Sequence, residues 1–327
     1  MKPAFLGISV CIAAALWAQN GSAPVRQTTP AWAFAVNPPA VPGAQPPAPD
    51  NSVKHVPGSN VSFTVSQTRD LFNPPDWYPN QHPPMPRIVA HGRMPNVRAC
   101  GYCHLPNGQG RPENAGIAGL PAAYIEQQMA DYRNGLRKSS EPKMGPPANM
   151  LVIGKNATAE EAHEAAEYFA GLKYKPWIRV VEAKMVPKSK VQGWMFVKAD
   201  ETSMEPIGQR ILEMPEDLER TELRDSNSGF IAYVPPGSIK KGEQLVTTGG
   251  PKDKTIKCAI CHGPDLRGLG NVPPLAGRSP SYTVRQLYDM QHGNRKGPGA
   301  ALMKAVVANL TEEDMVNIAA YTSSRMP

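Results

Sequence analysis

The sequence predicts a mostly α-helical chain: two tandem helical domains of one kind, a small β-rich connector between them and a proline-rich N-terminal extension before them. Three observations carry this. The stretch Cys100–Lys138 aligns without a gap on Cys258–Lys296, and 13 of the 39 positions are identical. Helix-start signals recur in both copies, Thr158-Ala-Glu-Glu161 and Thr311-Glu-Glu-Asp314, each a threonine followed three residues later by an acid. Between the copies the texture shifts to short runs rich in β-branched and aromatic residues.

Residues 1–23 open with Lys2, run apolar from Phe5 to Trp17 and end in small residues up to Ala23. That order of charge, apolar run and small residues predicts a cleaved secretory signal, and hence a periplasmic protein. Cys11 leaves with it, so of the five cysteines Cys100, Cys103, Cys258 and Cys261 remain.

Residues 24–86 form the extension. Pro38-Pro39, Pro46-Pro47, Pro74-Pro75 and Pro83-Pro84 punctuate it, which forbids a continuous helix. The composition predicts no fixed structure for its first half. Its second half carries Phe72, Trp77 and Tyr78, which suit either packing on a neighbouring domain or a loose linker.

The first copy is placed at 87–175 and the second at 236–327. Ala162, Ala165 and Ala166 recur at helical spacing in the first, as do Met315, Ile318 and Ala319 in the second. Ser238–Val246 reads as the opening helix of the second copy, and Tyr282–His292 as an amphipathic helix stopped by Gly293. The connector, 176–235, holds three expected strands around 177–181, 194–197 and 230–234. At about 60 residues it is far longer than an ordinary loop.

Both copies contain Cys-x-x-Cys-His, at Cys100, Cys103 and His104 and again at Cys258, Cys261 and His262. Two thiols at this spacing can add across the two vinyl groups of a heme, and the following imidazole can ligate its iron; this is the c-type heme attachment pattern. The rival readings fit less well. Plain disulfides suit an exported chain but leave the histidines unexplained. A four-cysteine zinc site brings its pairs much closer together than these, which lie 155 residues apart. Thioredoxin-like chemistry needs a βαβ context that the sequence lacks. The sequence therefore predicts two covalently bound c-type hemes, held by Cys100, Cys103, Cys258 and Cys261.

With these motifs, Pro273-Pro-Leu-Ala-Gly277, the Tyr282 helix, Gly293-Asn-Arg-Lys296, Met303 and Leu310-Thr-Glu-Glu-Asp-Met315, each copy resembles a class I cytochrome c domain. The tandem is similar to the diheme cytochrome c4 family. The resemblance covers about 87–172 and 236–327, leaving out the extension and the connector. It implies His104 and His262 as proximal ligands and Met303 as the sixth ligand of the second heme. It also implies that His262 donates its other N–H to the Pro273 carbonyl, with Ala115 in that place in the first copy. For the first heme, Met150 lies on Met303 in the downstream register, while Met144 beside Gly-Pro is the alternative. His55, His82, His91, His163 and His292 have no partner motif; the first three are expected to be exposed.

The implied function is an exported diheme electron carrier, working between a periplasmic or membrane donor and an acceptor, rather than a catalyst with its own substrate. Its partners would be redox proteins: a dehydrogenase, another cytochrome or an oxidase. Two alternatives stand beside this. One is a cytochrome subunit of a dehydrogenase complex; the other is a diheme peroxidase-type enzyme, which would need an open axial site that the two methionines argue against. No cysteine is left to serve as a ligand in a thiosulfate-oxidising site. The formal net charge is +7; without any RNA- or DNA-binding motif it points to an acidic redox partner rather than nucleic acid, with membrane contact at most peripheral. The charges expected to steer that partner are Lys240, Lys241, Lys252, Lys254 and Lys257 before Cys258, and Arg267, Arg278, Arg285, Arg295 and Lys296 after it.

Overall fold

The computed structural model describes residues 1, 29–43, 45 and 48–327. The expected signal segment, Cys11 and the Pro46-Pro47 pair lie outside these residues. Among the described residues no helix is long and apolar enough to cross a membrane.

Helices dominate, and two of the cores they build hold the two cysteine–histidine motifs. In the first copy the helices Ala122–Arg133, Gly145–Asn156 and Ala159–Ala170 close over Ile125, Ile153, Ala166 and Phe169. Gly145-Pro146-Pro147 starts the middle helix with proline in its first turn, where a missing N–H costs nothing. Thr158 starts the next one: its side chain accepts from the Glu161 amide while the Glu161 carboxylate accepts from the Thr158 amide.

In the second copy the helices Ser238–Thr248, Pro280–Gln291 and Glu312–Ser324 enclose Leu245, Val284, Leu287, Met315 and Ile318. Thr311 and Asp314 form the matching capping box. The first and last of these helices cross closely at Gly242, where an added methyl group would run into the Asn317 carbonyl oxygen and the Tyr321 side chain.

The connector contains more β-structure than expected. The expected strands appear as Ile178–Glu182, Met195–Lys198 and Phe230–Val234. Ile178–Glu182 runs parallel to Phe230–Val234, and Leu212–Pro215 pairs with that strand antiparallel. Two antiparallel pairs join Met185–Pro187 to Met204–Pro206 and Ser189–Gln192 to Met195–Lys198. A short helix, Leu218–Glu222, precedes the last strand.

The extension is not loose where it is described, contrary to the expectation for its first half. Phe34 is 2% exposed and packs edge-on to Tyr288 inside the second core. The Ala33 carbonyl accepts from Arg285. Composition alone misses this because a single aromatic anchor decides it. In the second half Trp77 and Tyr78 are buried with Val56, Val65 and Leu223, and Trp77 donates to the Leu223 carbonyl at 2.8 Å. The extension thus packs on the connector.

His82 also departs from expectation. Its side chain is only 4% exposed, with Nε2 3.1 Å from Asp76 and Nδ1 near the Pro83 carbonyl and the Tyr168 hydroxyl.

Candidate heme-binding site

Each motif is wound as one short helical turn. Cys100–His104 is helical, and Ala259–His262 is helical with Cys258 at its N-cap. Residues three and four apart share a helix face, so each turn gathers two thiols and the following imidazole. The described cysteines Cys100, Cys103, Cys258 and Cys261 are free.

Each imidazole is oriented by a backbone carbonyl eleven residues on. His104 Nδ1 lies 2.8 Å from the Ala115 oxygen, and His262 Nδ1 lies 2.7 Å from the Pro273 oxygen. This is the pair of acceptors the resemblance implied. With Nδ1–H donating, Nε2 is the lone-pair nitrogen left to bind a metal. Burial pushes the pKa of both rings below the ordinary 6.5; the carbonyl bonds partly oppose this, and the charges of Arg137 and Arg295 add to it. Both rings are therefore held neutral, as a metal ligand requires. Burial pushes the Cys100 thiol up to about 12 and the Cys258 thiol to about 11.

One continuous cavity of about 510 Å³ serves both motifs. Cys100, Cys103, His104 and Met150 line it from the first copy, and Cys258, Cys261, His262 and Met303 from the second. Met150 lies within the Gly145–Asn156 helix rather than in an irregular loop. Met303 sits where the short helices Pro298–Ala301 and Lys304–Val307 meet. Met144 is not among the lining residues. It is 1% exposed and packs into the second core with Trp194, a packing role. Met129 and Met290 also line the cavity.

The two copies meet through a reciprocal polar network that sequence reading passed over. Arg137 donates to Gln128 of its own copy at 2.9 Å, and to Tyr282 and Gln286 of the other at 2.8 and 3.1 Å. Arg295 donates to Gln286 of its own copy at 3.2 Å, and to Tyr124 and Gln128 of the other at 2.7 and 3.0 Å. Lys138 N donates to Asn294 O while Lys296 N donates to Leu136 O. The signal was present: Tyr124, Gln128 and Arg137 recur as Tyr282, Gln286 and Arg295, and identity at polar positions between copies marks a shared contact rather than a solvated face.

The same contact overturns part of the expected docking charge. Arg278, Arg285 and Arg295 are 7%, 4% and 7% exposed. Arg278 donates to the Gly116 and Ala118 carbonyls at 2.7 and 2.9 Å and lies over the Tyr174 ring. Arg285 donates to the Pro112 carbonyl. These guanidinium groups satisfy backbone carbonyls (Arg278, Arg285) and side chains (Arg295) between the copies and are closed to a partner.

The donor set fits a c-type heme. Two thiols and a neutral imidazole per motif face an apolar cavity, with a thioether on the wall of each copy. The buried Nε of Arg295, a cavity-lining residue, has no hydrogen-bond partner, which suits a carboxylate such as those on a porphyrin's edge.

Comparison with known proteins agrees. The cytochrome c family model matches residues 239–325. The chain is 34% identical over 147 residues to cytochrome c4 of Pseudomonas aeruginosa, covering 41% of this chain and 73% of that one. It is 32% identical over 141 residues to cytochrome c4 of Stutzerimonas stutzeri, covering 38% of this chain and 66% of the relative's length. It is 24% identical over 236 residues to a thiosulfate dehydrogenase electron acceptor of Thiomonas intermedia, covering 71% of this chain and 80% of the relative. A matched model over the second motif, close relatives among the cytochromes c4 and a donor set made for covalent heme lead to one assignment: the chain belongs to the cytochrome c family, in the cytochrome c4-like class of electron-transfer proteins that bind c-type heme.

Proposed function

We propose that the protein is an exported diheme cytochrome that relays single electrons between a periplasmic or membrane donor and an acceptor protein. The observation that carries this reading is the paired wall of the cavity: Cys-x-x-Cys-His with a methionine, twice, on one continuous space. Residues 87–175 and 236–327 would each form a class I cytochrome c unit, with 176–235 as connector, 24–86 as extension and 1–23 removed on export. Cys100 and Cys103 would hold one heme and Cys258 and Cys261 the other, with His104 and Met150 offering ligands to one iron and His262 and Met303 to the other.

Heme supplies the one-electron couple. The chain's own residues supply the rest. Ala115 and Pro273 hold the imidazole tautomers. Met150 and Met303, on the same cavity wall, would offer a thioether to each iron, which would favour the ferrous state and leave no room for a substrate there. Arg137 and Arg295 would meet the porphyrin carboxylates. With thioether ligands in place, the protein would carry electrons rather than turn over peroxide.

Intact mass of the mature protein should show two covalently added hemes, and an optical redox titration should resolve two low-spin one-electron couples. A Cys100–Cys103 or Cys258–Cys261 disulfide in protein matured with a working heme-attachment system, or rapid peroxide turnover by the reduced protein, overturns the reading.

A second reading has its own support. The relative that aligns with 71% of the chain is named a thiosulfate dehydrogenase electron acceptor, which makes a dehydrogenase the favoured donor class. Co-purification of a dehydrogenase subunit would make this protein a permanent partner of one rather than a mobile carrier.

A further inference from the structure

The two attachment segments have the same local fold and opposite surroundings. Gly110 N donates to His104 O in one copy and Gly268 N to His262 O in the other. Yet Ile260, Cys261, Arg267 and Leu269 are exposed, while their counterparts Tyr102 and Cys103 are half-buried and Gln109 and Arg111 are buried. Leu269 is 61% exposed and Arg111 only 7%.

The connector makes the difference. Arg224 lies 3.5 Å above the Tyr102 ring and donates to the Tyr102 carbonyl at 2.7 Å. Asn107 donates to the Ser226 carbonyl at 2.7 Å, and Arg111 to the Thr221 carbonyl at 3.2 Å. From the extension, the Leu71 carbonyl accepts from Ala99 N at 3.0 Å. Among the described residues no such cover lies over the second segment, where Ile256 and Ile260 are 44% and 63% exposed beside the exposed Lys257 and Arg267.

Thioether bonds form at the porphyrin's vinyl edge, so whatever covers the cysteines covers that edge. On the diheme reading above, we propose that partner proteins exchange electrons through the second attachment face alone. The first attachment face, sealed by the connector, then encloses an internal redox centre reached only through the second. The partner surface this face fits is an apolar centre bordered by carboxylates, matching Ile256, Ile260 and Leu269 with Lys257 and Arg267. With hemes held by the two motifs, the electron given up by the reduced partner would enter at the second motif and reach the first across the cavity that both line, with no bond or proton changing hands.

The test uses the oxidised holoprotein in two measurements. In hydrogen–deuterium exchange, residues 264–271 should exchange faster than residues 106–113, and Arg224→Ala with Asn107→Ala should raise exchange at 106–113 only. In stopped flow with the anionic iron(II)–EDTA chelate, Ile260→Glu with Leu269→Glu should slow the whole heme absorbance change by about tenfold, the low end of electrostatic steering effects. The connector-opening pair should instead add a faster phase. Equal exchange of the two segments overturns the proposal. So does a phase of half the amplitude that keeps the unsubstituted protein's rate in the double-glutamate variant. Intact mass on the same samples separates the two levels of the argument, because a single covalent heme would overturn the diheme reading itself.

Discussion

Three methionines that look alike in sequence divide by their surroundings. Met150 and Met303 stand on the cavity wall, while Met144 is sunk among Phe34, Ile211 and Trp194. Substituting each should therefore separate ligation from packing. Met150→Ala and Met303→Ala should each convert one low-spin heme to a spectrum lacking the methionine ligand, read by EPR and near-infrared absorption. Met144→Ala should leave both spectra intact and cost about 2–5 kcal/mol of stability, the usual loss for truncating a buried methionine, read by denaturant unfolding. Loss of a methionine signature in Met144→Ala with Met150→Ala unchanged would reverse the assignment.

Two elements owe their placement to a single residue each. Gly242 lets the Ser238–Thr248 helix meet the Glu312–Ser324 helix, and Gly242→Ala should force them apart at about 1–3 kcal/mol, the range for overpacking, with a matching fall in thermal midpoint. His82 pins the Pro79–Gln81 turn and its flanks against Tyr168, which donates in turn to the Pro106 carbonyl at 2.7 Å. The Asp76 hydrogen bond lifts the His82 pKa above its ordinary 6.5, burial partly opposes this, and the Pro83 carbonyl adds to the lift. A raised value means the folded chain holds the proton more tightly. The stabilisation is complete below the unfolded value, about 6.5, and fades as pH climbs through the higher folded value. Exchange protection of residues 76–86 should fall over that window, and His82→Gln should flatten the profile. These contacts also mark what the sequence could not reveal. Capping boxes and helical periodicity are local, so the long helices at Ala159–Ala170, Ser238–Thr248, Pro280–Gln291 and Glu312–Ser324 were legible within a few residues, as were three strands. Phe34 reaching Tyr288, Trp77 reaching Leu223 and His82 reaching Tyr168 span from 86 residues of chain upward, and no local pattern encodes such a partner. The motif residues were legible because covalent chemistry fixes their spacing; of the interdomain arginines, Arg295 left a trace in its recurrence as Arg137, whereas Arg278 and Arg285 fall on Leu120 and Gln127 and left none, because a buried guanidinium and a solvated one look the same in a sequence.

Across the whole molecule, the buried arginines redraw the expected electrostatics of docking. With Arg278, Arg285 and Arg295 committed to carbonyls and side chains between the copies, the exposed charges left on the chain around the second attachment segment are Lys252, Lys257 and Arg267; Lys296 is exposed too, but at the contact between the copies, where its backbone donates to Leu136. Asp253 and Asp265 are exposed on the same stretch and offset part of that charge, while Lys254 is paired with Asp314. Lys240 and Lys241 are exposed earlier in the chain, Lys241 already bonded to Glu313. An acidic redox partner should therefore be steered, but with a shallower salt dependence than the overall charge of +7 suggests. The bimolecular electron-transfer rate with an acidic partner protein should fall as ionic strength rises from about 0.01 to 0.15 M, as the screening length contracts from about 30 to 8 Å. Lys257→Glu with Arg267→Glu should abolish that fall, because the face would then carry net negative charge. Lys240→Glu with Lys241→Glu should leave it nearly unchanged, because those side chains stand in the first turn of their helix, whose other end, at Val246, is the part bonded to Cys258, and Lys241 is already bonded to Glu313. A rate that is flat or rises with salt in the unsubstituted protein would mean that apolar contact at Ile256, Ile260 and Leu269, rather than charge, brings the partner to the second face.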